Sequence, residues 1–208
     1  MSKTIKYAYR MTHIDNIPHI LKVGFVHRNS SLASSDYISI GDQSLINSRG
    51  QKQLQGRVLS DYIPFYFGNR SPMLYRIQTG YNVEKRHPQE IVYCVLKLEN
   101  LVSSNLRFIF TDGHANSALT TIYSSEKLSQ INEIISFNDV YATQWSIESD
   151  TDLKRRKEAE LLFIDDVPLD YISGYVVYNQ AAKQQLQEYG VPAEKIVIKP
   201  EYYYLEYD

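Results

Sequence analysis

One cysteine stands among the 208 residues, Cys94, inside the apolar run Ile91 to Leu98. A lone thiol excludes an internal disulfide and any zinc site built on cysteines, and its apolar setting marks it as a small core residue rather than a nucleophile. No run of about eighteen apolar residues exists, and the opening MSKTIKYAYR lacks the apolar centre of a secretory signal. No membrane span is expected, and the cytoplasm is the expected location. Glycine is scarce, at 9 residues, and forms no phosphate-binding loop. H-E-x-x-H and G-x-S-x-G are missing too. A dinucleotide, if one is used, cannot be held on a Rossmann turn.

Tyrosine, by contrast, is plentiful: 18 against 7 phenylalanines and 1 tryptophan. Rings with a polar tip suit stacking on bases, although many will be ordinary strand residues. Hydrophobic residues at 43% and charged residues at 22% describe a folded globular chain, and the length suits one domain over 1–208. The net charge of −2 conceals an asymmetry, since residues 1–110 hold 14 Lys/Arg and 7 Asp/Glu while 111–208 hold 8 and 17. Basic residues gathered on one face would attract a polyanion; halves that interleave in space would cancel the effect.

Strands are expected at Ile5–Met11, Tyr62–Phe67, Glu90–Leu98, Leu106–Thr111, Leu161–Ile164, Gly174–Tyr178 and Lys195–Tyr204. Helices are expected at Asp15–Leu21, around Gln43–Ser48, from Pro72 with Ser71 as N-cap, at Ala115–Ile131, within Asp150–Glu160 and at Gln180–Tyr189. Pro64 points to a strand edge or bulge. Residues 26–55 form a long polar loop, the kind of segment that often carries function. Strands and helices mix without regular βαβ alternation, so the expected fold is α+β with a mostly antiparallel, twisted sheet.

Several side chains are chemical candidates. Glu160 directly precedes an apolar strand, which places its carboxylate near the interior, where it could stabilise a developing cation or take a proton. Alternatively it is half of a structural ion pair with Arg155 or Arg156. Arg49 lies in the polar loop and could meet a phosphate. His13 ends the first strand, where a hydrogen-bonded structural role is the simpler alternative. Arg70 sits at a strand-to-helix junction, where free N–H groups and a helix N-terminus favour an anion.

In order along the chain stand Tyr9-Arg10-Met11-Thr12-His13-Ile14-Asp15-Asn16, Gly41 followed by Arg49, DYIPFYFGNRSPMLY at 61–75, FTDGHA at 110–115, EAELL at 158–162 and a late Pro-Glu-Tyr-Tyr. This set resembles the DarT family, bacterial toxins that use NAD to ADP-ribosylate a base in single-stranded DNA and are paired with DarG-type macrodomain antitoxins. The resemblance implies an ADP-ribosyltransferase-like fold with Glu160 and Arg49 as catalytic residues. It assigns Arg10, Thr12, His13, Asn16 and Arg49 to NAD as co-substrate, and Tyr66, Arg70 and His114 to the DNA side; no metal is implied. Thymine is the acceptor it favours, with guanine, RNA or protein as alternatives, or a silent nucleic-acid-binding module. Two departures stand out: Arg10 replaces the histidine of many members, and the stretch before Asp61 lacks their Gly-Gly.

Overall fold

A computed structural model describes residues 3–204. In chain order the elements are β1 (Tyr7–His13), α1 (Ile17–Val23), α2 (Gln43–Arg49), β2 (Gln53–Leu54), β3 (Arg57–Val58), β4 (Ile63–Tyr66) and α3 (Pro72–Thr79). There follow β5 (Ile91–Lys97), β6 (Phe108–Thr111), β7 (Ile122–Ser124), α4 (Ile131–Ile134), α5 (Phe137–Val140) and α6 (Leu153–Lys157). The chain closes with β8 (Glu160–Phe163), β9 (Ile172–Val177), α7 (Gln180–Glu188) and β10 (Ile196–Ile198). Eight strands form one sheet in the order β10-β9-β5-β1-β4-β8-β6-β7. Every pairing in it is antiparallel except β10 with β9. The α+β expectation holds.

The sheet is split near its middle. β1 pairs with β5 along its whole length but meets β4 at one register position only, Tyr9 opposite Tyr66. Pro64 explains part of this. Phe67 N–H donates to Ala159 of the β8 side, so by the two-residue period the odd positions of β4 address β8 and Pro64 turns its missing N–H towards β1. Instead of a ladder bond, the Arg10 guanidinium donates to the Pro64 carbonyl at 2.8 Å. Of the two places expected for Pro64, a strand edge or a bulge, the sheet edge is not where it lies: β4 is an interior strand, and Pro64 stands where two strands part.

Apolar residues from both faces of the sheet make the core, with Ala8, Phe65, Phe110, Leu161 and Phe163 fully covered on one face and Leu74, Ile77, Ile91 and Tyr93 on the other. The expected helix over Ala115–Ile131 does not exist. Ile122–Ser124 pairs with β6 instead, and Tyr123 stacks on Phe110 at 5.2 Å, so sheet packing overrides the helical spacing. The closing strand is also shorter than expected, because Pro200 starts a 3-10 turn after Ile198. β9 and β8 of the acidic second half flank β5, β1 and β4 of the basic first half, and β6, which begins in the first half, lies beyond β8. The two halves interleave, and the charge asymmetry along the chain does not become two charged lobes.

Candidate active site

The gap between β1 and β4 opens into two cavities of about 260 Å³ each. Arg10, Arg28, Tyr37, Ser60 and Tyr62 line both, so the two form one bilobed cleft with Arg10 at its waist. Six buried polar side-chain atoms lack a hydrogen-bond partner among the described residues, and four of them belong to residues of this cleft: Arg10 Nε, Arg49 Nη2, His19 Nε2 and Ser60 Oγ. Buried donors without partners are rare in folded proteins, so a concentration of them marks a place where a polar ligand completes the structure. Two of the four are guanidinium nitrogens, which suit an anion.

Glu160 opens β8 and is fully buried. Its Oε1 accepts from Arg49 Nη1 at 3.2 Å and from the backbone N–H of Ala115 at 2.8 Å, and its Oε2 accepts from Arg49 Nη1 at 3.0 Å. Neither Arg155 nor Arg156 touches it. Arg155 is taken by Asp112 and Asp152, Arg156 by Asp139, Asp150 and Asp152. Burial works against the Arg49 cation, but the charges around it, Glu160 first, outweigh that cost and keep it protonated.

Arg49 reaches the pair from the last residue of α2. That short helix is fixed at its start by Asp42, whose Oδ1 accepts from the N–H groups of Ser44 at 2.9 Å and Leu45 at 3.4 Å. Asp42 Oδ2 takes Arg76 of α3 at 2.6 Å. The Ser44 hydroxyl is the main reason the Asp42 carboxyl titrates below its ordinary range. A single carboxylate thus ties the helix that carries Arg49 to the body of the fold. On the other side, Lys52 Nζ donates to the carbonyls of Ala115 at 2.8 Å and Ser117 at 3.0 Å, holding the FTDGHA loop that presents its N–H to Glu160.

His114 and Tyr66 line the same lobe as Arg49. Burial pushes the His114 imidazole below its ordinary pKa, and burial keeps the Tyr66 phenol protonated well above its own. Both are neutral at physiological pH.

The remaining expected residues stand elsewhere. Thr12 and Asn16 are buried behind the cleft wall: Asn16 Nδ2 donates to Thr12 Oγ1 and to the Ile38 carbonyl, while its Oδ1 accepts from Ile38 N–H at 2.8 Å. His13 ends β1, caps the following turn through Asp15 N–H, and lies 3.5 Å from Glu90. None of the three lines the cleft. Arg70 lies outside it as well, with φ of 48° and its guanidinium 4.7 Å over the ring of Tyr204. Sequence reasoning passed over Arg28 and Tyr37, which line both lobes. Only their place in the polar loop could have pointed to them.

A sheet parted over a buried, arginine-clamped glutamate, under a cleft with unpaired cationic nitrogens, defines a group-transfer enzyme for an extended anionic co-substrate. Residues 9–204 match the family described as ssDNA thymidine ADP-ribosyltransferase, DarT. A DNA ADP-ribosyl transferase from Escherichia coli O127:H6 is 33% identical over 194 residues, covering 87% of this chain and 84% of the relative. The solved structure of Thermus sp. 2.9 DarT in complex with ADP-ribosylated ssDNA superposes with a TM-score of 0.84 at 26% identity, covering 98% of this chain and 100% of that one. The same Thermus protein in complex with NAD+ gives a TM-score of 0.78 over the same shares of both chains. A fusion of DNA ADP-ribosyl transferase with DNA ADP-ribosyl glycohydrolase from Thermosipho africanus is 30% identical over 190 residues, 90% of this chain and 46% of the fusion. The chain belongs to the DarT family and is a DNA ADP-ribosyltransferase.

Proposed function

We propose that this chain transfers ADP-ribose from NAD to thymine in single-stranded DNA, releasing nicotinamide, with Glu160 and Arg49 carrying the chemistry. The observation behind the reading is the buried Arg49–Glu160 pair at a cleft whose walls hold the unpartnered Arg10 Nε and Arg49 Nη2. NAD has a ring-bearing nucleoside on each side of a doubly negative pyrophosphate, and the bilobed cleft with Arg10 at its waist suits it: the unpartnered guanidinium nitrogen would meet the pyrophosphate between the lobes. Tyr37, Tyr62 and Tyr66 offer apolar faces to rings on either side.

Loss of nicotinamide leaves positive charge on the ribose, as in glycoside cleavage. Glu160, clamped by Arg49 and the Ala115 N–H in a fully buried site, stabilises that charge. The Arg49 nitrogen that has no partner faces the same lobe and can hold the oxygen of a base whose ring N–H is being lost. Thr12, His13 and Asn16 serve NAD through the wall: Asn16 sets the Tyr37–Ile38 segment in place. His114 and Tyr66 border the acceptor side, and Arg70 on Tyr204 supplies a charged, aromatic landing for the strand outside the cleft. A single-stranded substrate avoids the cost of extracting a base from a duplex.

The partner in the cell is a DarG-type macrodomain antitoxin, a pairing supported by the Thermosipho relative, which carries a DNA ADP-ribosyl glycohydrolase in the same chain. The cytoplasm is the compartment where NAD, DNA and such an antitoxin meet. Among the described residues no helix is long and apolar enough to cross a membrane.

The test is mass spectrometry of oligonucleotides incubated with protein and NAD. A thymidine-containing single strand gains one ADP-ribose, a thymine-free strand does not, and Glu160→Ala makes no product. Labelling of RNA or protein in place of DNA would overturn the acceptor assignment, and full activity of Glu160→Ala would remove that residue from the mechanism.

A further inference from the structure

A second carboxylate stands beside the Arg49–Glu160 pair. Glu158 follows α6, two residues before Glu160, and is 8% exposed. Among the described residues its carboxyl group takes part in no hydrogen bond and no ion pair. It lines a third cavity, of about 320 Å³, whose wall includes His114, Leu45 and Met73. Those three residues also line the lobe that holds Arg49. The two cavities therefore meet at His114, with the Arg49–Glu160 pair on one side of it and Glu158 on the other.

The chemistry of the acceptor asks for a group in this place. Thymine bonds to ribose C1 through a ring nitrogen that carries a proton, and the neutral product requires that proton to leave. Glu160 is poorly placed to take it, because both of its oxygens already accept hydrogen bonds from Arg49 or Ala115 and its charge is needed opposite the ribose. His114 is held neutral by burial, and Tyr66 keeps its own proton.

We propose, resting on the function above, that the third cavity is the doorway for the acceptor base and that Glu158 takes its ring proton. As the nitrogen–C1 bond forms, the bond from C1 to nicotinamide breaks and its electron pair stays on the nicotinamide nitrogen. The ring N–H proton passes to the Glu158 carboxylate, and from the resulting carboxylic acid to solvent through the open side of the cavity. Charge balances: a cationic pyridinium and a carboxylate go in, neutral nicotinamide and a carboxylic acid come out.

The surroundings tune the group for this task. Burial first and the neighbouring Glu160 second push the Glu158 carboxyl up to about 7, opposed by Lys154, Arg76 and Lys157. Arg155 and His114 complete the titratable and charged lining of the cavity. A base with a pKa near the working pH combines a useful ionised fraction with real proton affinity.

The test compares wild type, Glu158→Gln and Glu158→Asp on two oligonucleotides that carry either thymidine or 5-fluorodeoxyuridine, whose ring N–H is more acidic. Rates at saturating NAD are read from about pH 5.5 to 9. On thymidine near pH 7, Glu158→Gln should lose on the order of a hundredfold in kcat with little change in KM for NAD, and Glu158→Asp should recover part of the rate. The wild-type rise in rate through about pH 7 should vanish in Glu158→Gln, and its deficit should shrink on the fluorinated base. Unchanged rate and pH profile in Glu158→Gln, or an equal deficit on both bases, would overturn the assignment while leaving the transferase reading intact. A wild type that modifies no DNA would overturn both.

Discussion

Arg49 and Glu160 are separated by 111 positions and share one buried contact, with side chains 12% and 0% exposed. Removing one partner of such a pair leaves an uncompensated charge, which costs on the order of 3 kcal/mol or more. Arg49→Ala is therefore expected to lose transfer activity and to melt well below wild type by calorimetry. Arg49→Lys keeps the charge but cannot both clamp Glu160 and offer a second nitrogen to the cleft, so its melting should be closer to normal while its activity stays low. An active Arg49→Ala, or a Lys variant as active as wild type, would refute this account. Glu160 was legible in the sequence because a carboxylate before an apolar strand has few places to go. Its partner was not, since nothing in the local sequence tells a reader that Arg155 and Arg156 are consumed by Asp112, Asp139, Asp150 and Asp152. Arg70 shows the converse. Its junction was read correctly, with Ser71 capping α3 through Leu74 N–H at 3.2 Å, yet the side chain turns to Tyr204.

Elements with strong local signals formed where expected, among them α3, β5 and α7, each set by a cap or an unbroken apolar run. The segment from 115 to 131 did not, because its fate depends on β6, which the local pattern does not describe. The long polar loop was recognisable as a functional candidate from its composition, but what holds it was not. Asn16 does so, with its amide gripping both the N–H and the carbonyl of Ile38 while Thr12 Oγ1 sits 3.2 Å from the Tyr37 hydroxyl. Asn16→Ala removes both grips and frees the segment that presents Tyr37 to both lobes. We expect KM for NAD to rise on the order of tenfold, since losing about 1–2 kcal/mol of loop ordering corresponds to roughly that factor, with a smaller change in kcat. Steady-state kinetics at varied NAD would show it, and an unaltered KM would mean that the loop needs no such anchor.

At the scale of the whole molecule, a sheet that parts over the buried Arg49–Glu160 pair must bury ionisable groups beneath a cleft, and the fold bears that cost in a pH-dependent way. Glu158 is the clearest case. A carboxyl whose pKa rises from 4.5 unfolded to about 7 folded binds its proton more tightly in the native state. Its contribution to stability is complete below about pH 4.5 and is lost as the pH climbs through about 7, a change on the order of 3 kcal/mol. His114 works in the opposite sense, because burial lowers its pKa and native stability falls as the pH drops through and below its ordinary value. The two slopes overlap, so the wild-type curve alone does not separate them. Glu158→Gln does, since glutamine matches the protonated acid in shape and never ionises. The variant should melt together with wild type near pH 5 and above it near pH 8, by roughly 5 to 10 °C for a chain of this size. Thermal melts at those two pH values are sufficient. A variant less stable than wild type at pH 8 would show that the Glu158 carboxylate is paired in the native state, and the same result would remove the free base on which the acceptor-side chemistry depends.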